Sequence, residues 1–309
     1  MRAVGVDLGG TKTAVAVVAP DGTMGEVLTA PTPALAGGEA VLDAVADLVA
    51  RAAAGHDDVA GVGVGTAGVV DATRGAIISA TETFASWVGT DVAAGLRARL
   101  GWDDARLVEV RNDVDAHALG EAWLGAGRGR SSMLMVAVGT GVGGAVVLDG
   151  RLWTGAHHVA GEMGHIPTPG AAGMRCPCGV DGHLEAVAAG PAIERAYALA
   201  AGESLPGRDI MARAADGGEP ARGVVAAAAV ALGRAIAGVV TVLDPACVVI
   251  GGGVAAAGDE WWTPLRAACR GEVVPVLRNL ELLPAALGPE AAILGAARTV
   301  FDEARVRVR

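Results

Sequence analysis

Lysine is almost missing from this chain: of 24 basic residues, 23 are arginine and one, Lys12, is lysine. Acidic residues number 34, and the formal net charge is −10. No basic stripe stands out, which excludes the electrostatic footprint of a nucleic-acid partner. Aromatic residues make up only 3% of the chain, so the apolar content comes largely from alanine and valine. Cysteines are few as well. Cys176 and Cys178 lie two apart, while Cys247 and Cys269 stand alone in apolar surroundings. That pattern excludes a disulfide framework and points to metal or redox chemistry at the close pair. Apolar runs are broken by Gly, Asp or Arg before they reach membrane-spanning length. The opening residues, Met1 to Asp7, lack the apolar core of a signal peptide. The expectation is a cytoplasmic protein with no membrane partner.

The chain has 309 residues, enough for two domains. Hydrophobic residues at 52% and charged residues at 19% exclude disorder. Glycine reaches 47 residues without a period of three, which excludes collagen. Ala3–Val6 and Thr13–Ala19 read as strands joined by a tight glycine turn, and Met24–Thr29 as a third strand after Asp21-Gly22. The same succession recurs later: strand Met133–Val138, glycine turn, strand Ala145–Leu148, Asp149-Gly150, and strand Arg151–Thr154. Such a repeat predicts two related lobes facing each other. Helices are predicted over Glu39–Ala54, Asp91–Leu100, from Asn112-Asp113 through Gly120-Glu121-Ala122-Trp123, and over Gly190–Leu199, Gly223–Leu243 and Ala291–Ala304. Buried strands are predicted at Val59–Val64, Leu107–Val110 and Cys247–Ile250, with polar, glycine-rich loop at 202–208 and 216–222.

Three constellations carry chemistry. Gly139, Gly141 and Gly144 match G-x-G-x-x-G, but a strand and not a helix follows them, so the dinucleotide-binding reading fails. The alternative is a pair of glycine hairpins, 9–12 and 139–144, whose backbone N–H groups grip phosphates; each taken alone is an ordinary tight hairpin. Asn112-Asp113 sits between a strand end and a helix start. It reads equally as an N-cap or as a general base, with Glu109 and Asp115 as rival carboxylates. Finally, His165, Cys176, Cys178 and His183 offer two thiolates and two imidazoles within 19 residues. Zinc takes four such ligands tetrahedrally, and with no position left open the zinc is structural. Glu162 and Glu185 flank this knuckle, placed to accept hydrogen bonds from sugar hydroxyls.

In order and spacing these residues resemble the ROK sugar kinases. The likeness runs through Asp7-Leu8-Gly9-Gly10-Thr11-Lys12, Asn112-Asp113 with Ala118-Leu119-Gly120-Glu121, and the turn 139–144. It continues through Ala160-Gly161-Glu162-Met163-Gly164-His165, the knuckle, Leu243-Asp244-Pro245 and Gly251-Gly252-Gly253-Val254. The resemblance implies an α/β, actin-like ATPase fold of two ribonuclease-H-like lobes around a cleft. One lobe would be residues 1–112 with about 291–309, the other 113–290 with the knuckle at 165–183. It implies ATP and Mg²⁺ in the cleft and a sugar at its base. Asp113 matches the catalytic base, and Gly68, Asn112, Asp113, Glu162, His165 and Glu185 match sugar-side positions. Asp7, Gly9, Gly10, Thr11, Lys12, Thr140, Gly141, Gly251, Gly252 and Gly253 match nucleotide-side loops. It also implies dimers or tetramers.

The chain departs from the family pattern at His183, where Cys is usual, and at Arg111, Asp115 and Ala67. It departs too at Thr83, beside Glu82, and at His157-His158, where Asn-Gly is frequent. The resulting expectation is a glucokinase-like kinase acting on a primary hydroxyl. The alternatives are a kinase for an N-acetylhexosamine, amino sugar or cyclitol, and a sugar-binding regulator without catalysis.

Overall fold

The computed structural model describes residues 1–81, 83–103 and 105–307; Glu82 lies outside them. In chain order the elements are β1 (Arg2–Leu8), β2 (Lys12–Val18), β3 (Leu28–Pro31), α1 (Gly38–Ala53), β4 (Val59–Thr66), β5 (Val69–Asp71) and β6 (Ala76–Ser79). Then come α2 (Val92–Leu100), β7 (Leu107–Asn112), α3 (Asp113–Trp123), β8 (Ser132–Val138), β9 (Val142–Leu148) and β10 (Arg151–Leu152). The chain continues with α4 (Glu185–Ala188), α5 (Gly190–Ala201), α6 (Gly207–Ala215) and α7 (Ala221–Leu243). It ends with β11 (Cys247–Gly251), α8 (Asp259–Glu272), β12 (Glu281–Pro284) and α9 (Glu290–Arg307).

Two five-stranded sheets share one plan: β3-β2-β1-β4-β7 and β10-β9-β8-β11-β12. In the first, β1–β3 form an antiparallel meander, and β4 and β7 then join in parallel. In the second, β11 pairs in parallel with both β8 and β12. The repeat read from the sequence is therefore a repeat of sheet topology. By packing, the chain divides into one unit of Met1–Gly129, Val147–Ala160 and Ala286–Arg309, and another of Arg130–Val146 and Gly161–Ala285. Helix α3, expected to begin the second lobe, packs with α9 in the first unit.

The reason lies in the two faces of the first sheet. Val4, Val6, Leu8, Val62 and Val64 point at α1 and α2 and pack with Leu48, Phe84 and Trp87. The alternate positions are small: Ala3, Ala14 and Ala16 face α9. At Gly63 an added Cβ would lie 1.8 Å from the Ala296 carbonyl oxygen, so α9 rests its backbone directly on β4. Gly295 likewise approaches Ala116 of α3. Small residues on this sheet face and on α9 let the backbones of β4, α9 and α3 come into contact.

The second unit's core is built on α7, which buries Leu232, Ile236 and Val240 against Leu134, Val136, Trp261 and Leu265. By length and a mean hydropathy of 2.0, α7 is also apolar enough to cross a membrane. Here Arg222 and Arg234 on it pair with Glu260 and Glu272 of α8, and its apolar stripe is core.

Several elements differ from expectation. The third strand is β3 at Leu28–Pro31, with Met24 left in an isolated bridge to Val18, and β10 ends at Leu152. Helix α6 forms between the two glycine-rich loops. The short strands β5, β6 and β12 and the helix α8 were not foreseen.

Candidate active site and metal centre

The parallel strands β4 and β7 end side by side, Thr66 opposite Asn112. Helix α3 starts there because Asn112 caps it. The Asn112 Oδ1 accepts the N–H groups of Val114 at 2.8 Å and Asp115 at 3.4 Å. Its Nδ2 donates to the Gly68 carbonyl at 2.9 Å. The capping role thus falls on Asn112 and leaves Asp113 as the first helical residue. Asp113 is half-buried at the positive end of the helix dipole, one oxygen accepting its neighbour's N–H at 2.9 Å. The rival Glu109 is held by Arg111 at 3.0 Å, and burial pushes its carboxyl above the usual range.

Asp7, near the end of β1, belongs to the same neighbourhood. Burial raises its pKa, the His117 side chain lowers it, and the charge of Asp113 raises it again. The charge of Lys12 lowers it as well. The ring of His117 is fixed by its Nδ1, which donates to the Asp113 carbonyl at 3.1 Å. Gly9, Gly10, Thr11 and Lys12 form the β1–β2 turn, closed by the Gly9 N–H on the Lys12 carbonyl at 3.1 Å. Thr11 and Lys12 are exposed.

In the second unit the equivalent turn carries Thr140 and Gly141, closed by the Gly139 N–H on the Gly141 carbonyl at 2.9 Å. Glu185 reaches it: Oε2 accepts the Val142 N–H at 2.8 Å, and the absent Cβ of Gly141 leaves space for that carboxylate. Gly251, Gly252 and Gly253 follow β11. Gly252 adopts φ +91° and runs against the β8 backbone at Val138, where a Cβ would clash.

The ligand atoms of His165, Cys176, Cys178 and His183 all lie within 4.8 Å of one another. Cys176 Sγ is 3.6 Å from His165 Nδ1, and Cys178 Sγ is 3.2 Å from His183 Nδ1. Tetrahedral zinc bonds to sulfur and nitrogen give ligand–ligand edges of roughly 3.3–3.8 Å, so the donor set fits. The knuckle is shaped by backbone bonds, Cys176 N–H to Val180 and Gly179 N–H to Cys176. Burial pushes the Cys176 thiol up to about 11, so the sulfur keeps its proton unless a cation displaces it. Outside the ligands, His165 Nε2 lies 3.7 Å from Glu162, the carboxylate–imidazole arrangement that orients a metal ligand. Glu185 Oε1 lies 3.9 Å from Cys176 Sγ.

The first unit therefore groups Asp7, Lys12, Gly68, Asn112 and Asp113, and the second groups Glu162, His165, Glu185, the knuckle and the turn at Thr140–Gly141. Sequence reasoning missed two roles. Glu121, fully buried, accepts the N–H groups of Ala126, Ala286 and Leu287 and so ties the end of α3 to the approach to α9. His158 pairs with Asp71 at 3.6 Å. A cavity of about 500 Å³ between α1 and α2, lined by Arg99, Trp102 and Arg106, contains none of these residues.

The family model described as ROK family matches residues 3–303. The glucokinase of Thermotoga maritima is 33% identical over 317 residues, covering 98% of each chain. The structure of a ROK hexokinase from Thermus thermophilus is 36% identical with a TM-score of 0.89, covering 99% of this chain and 100% of that one. A ROK family glucokinase from Streptomyces griseus, in complex with glucose and AMPPNP, is 31% identical with a TM-score of 0.81, covering 98% and 100%. With its repeated sheet topology, its capped Asn112-Asp113 helix start and its two-His, two-Cys knuckle, this chain has the actin-like ATPase fold and belongs to the ROK family.

Proposed function

We propose that this chain is an ATP-dependent hexose kinase of the glucokinase type, working in the cytoplasm and assembling as a dimer or tetramer. The reading is carried by one observation: Asn112 takes the capping bonds of α3, so Asp113 presents a carboxylate at the edge of the parallel strands. That carboxylate takes the proton of the sugar's primary hydroxyl as its oxygen bonds to the γ-phosphorus, while the bond to the β-phosphate oxygen breaks and ADP leaves. Gly68, Asn112, Glu162, His165 and Glu185 orient the sugar's other hydroxyls. Gly9, Gly10, Thr11, Lys12, Thr140, Gly141 and Gly251 to Gly253 receive the nucleotide. Asp7 and Lys12 stand where Mg²⁺ and phosphate charge have to be balanced; bound Mg²⁺ supplies neutralisation of that charge. Zn²⁺ held by His165, Cys176, Cys178 and His183 supplies rigidity to the segment between Glu162 and Glu185.

The test is sugar-dependent ADP release from Mg-ATP across glucose, mannose, glucosamine, N-acetylhexosamines and cyclitols, with Asp113→Asn as control. Glucose turnover abolished in the variant is expected. Preference for an N-acetylhexosamine or cyclitol would move the substrate assignment, and full activity of Asp113→Asn would remove the base.

A further inference from the structure

His158 stands out by its backbone. It adopts φ +59°, a left-handed conformation that side-chain-bearing residues seldom hold without compensation. Its ring is committed on one side only. Nε2 lies 3.6 Å from Asp71 Oδ1, and both side chains are largely shielded, 24% and 18% exposed. Nδ1 is buried with no hydrogen-bond partner among the described residues. A strained backbone and an unpartnered ring nitrogen both oppose this arrangement, and the carboxylate is what holds it.

Asp71 is a firm anchor. Its Oδ1 also accepts the Thr73 N–H at 3.1 Å, the Thr73 hydroxyl and the Arg74 N–H at 3.3 Å. It closes β5, the strand that begins just after Gly68, whose carbonyl is held by Asn112. From Asn112 the connection therefore runs through Gly68 and β5 to Asp71, and across to His158. Four residues after His158 the chain reaches Glu162. The departure is constrained on the far side as well: Gly161, at φ +97°, lies so close to Gly144 that an added Cβ would sit 2.6 Å from its carbonyl oxygen.

We propose that His158 is a positioning residue for sugar binding. By pinning the segment ahead of Ala160 to Asp71, it fixes the start of the chain that carries Glu162. The inference rests on the sugar-kinase reading above, with Glu162 as a sugar ligand.

The experiment compares kcat and the KM values for glucose and ATP in His158→Gly, His158→Asn, Asp71→Ala and the His158→Gly/Asp71→Ala double variant, with Glu162→Gln alongside. Glycine suits φ +59° better than histidine, so His158→Gly keeps the fold, which its melting temperature checks. His158→Gly and Asp71→Ala should each raise the glucose KM about fivefold, with kcat and the ATP KM within about twofold. The double variant should be no worse than either single one, and His158→Asn, tolerant of the conformation but with its amide nitrogen at the place of Nδ1 and so short of Asp71, should behave like His158→Gly. The proposal is overturned if His158→Gly leaves the glucose KM unchanged while Glu162→Gln raises it, or if the two single effects multiply. If Glu162→Gln itself leaves the glucose KM unchanged, the sugar assignment fails and takes this inference with it.

Discussion

The hairpin after β1 and the hairpin after β8 occupy the same place in two sheets of the same strand order, yet they are tied down differently. The first is anchored from within its own sheet, with the N–H of Thr32, just past β3, on the Thr11 carbonyl at 3.0 Å, and it exposes the chain's single lysine. The second is anchored from outside: the Gly190 N–H bonds the Gly139 carbonyl at 2.8 Å, and Glu185 takes the Val142 N–H. Through Glu185 the second turn is joined to Cys176 of the candidate metal centre. One topology thus serves two purposes. Under the proposed function, the first turn offers a cation to phosphate, and the second couples its glycines to the element proposed to receive the sugar.

That division can be broken or sharpened by substitution. The largest effect belongs to the base: Asp113→Asn should lower kcat by about 10³-fold while glucose still binds, which single-turnover kinetics and calorimetry separate. Next is the scaffold beneath the first hairpin. Gly63→Ala forces a methyl group into the Ala296 carbonyl and should cost about 3 kcal/mol, read from denaturant midpoints. In the second unit, Cys178→Ser should drop bound zinc below one per chain by metal analysis and raise the glucose KM more than the ATP KM. Smaller again is Lys12→Ala, which removes a charge-assisted contact and should raise the ATP KM about tenfold with the glucose KM unchanged.

Both hairpins and the long helices were legible because glycine and Asp-Gly punctuate the chain and because α1, α7 and α9 keep a helical apolar period. The knuckle was legible because its four ligands fall within 19 residues. What escaped is set by tertiary contact. Helix α8 carries Pro264 and a polar sequence, and packing supplies its stability, with Trp261 and Leu265 buried in the second core. Strands β5 and β6 are three and four residues long, too short for alternation to register. The pairing of Asp71 with His158 and the Glu121 bonds to Ala286 and Leu287, 165 and 166 residues away, join positions that no local pattern connects. The ambiguity at Asn112-Asp113 was physical as well: either residue makes a good cap, and the geometry alone assigns the cap to Asn112.

The most direct measurement is the pair of KM values for Glu185→Gln set beside those for Lys12→Ala. If the two hairpins divide the work as described, Glu185→Gln moves chiefly the glucose KM and Lys12→Ala chiefly the ATP KM. If both substitutions shift the same constant, the two turns share one task and the division drawn between them is wrong.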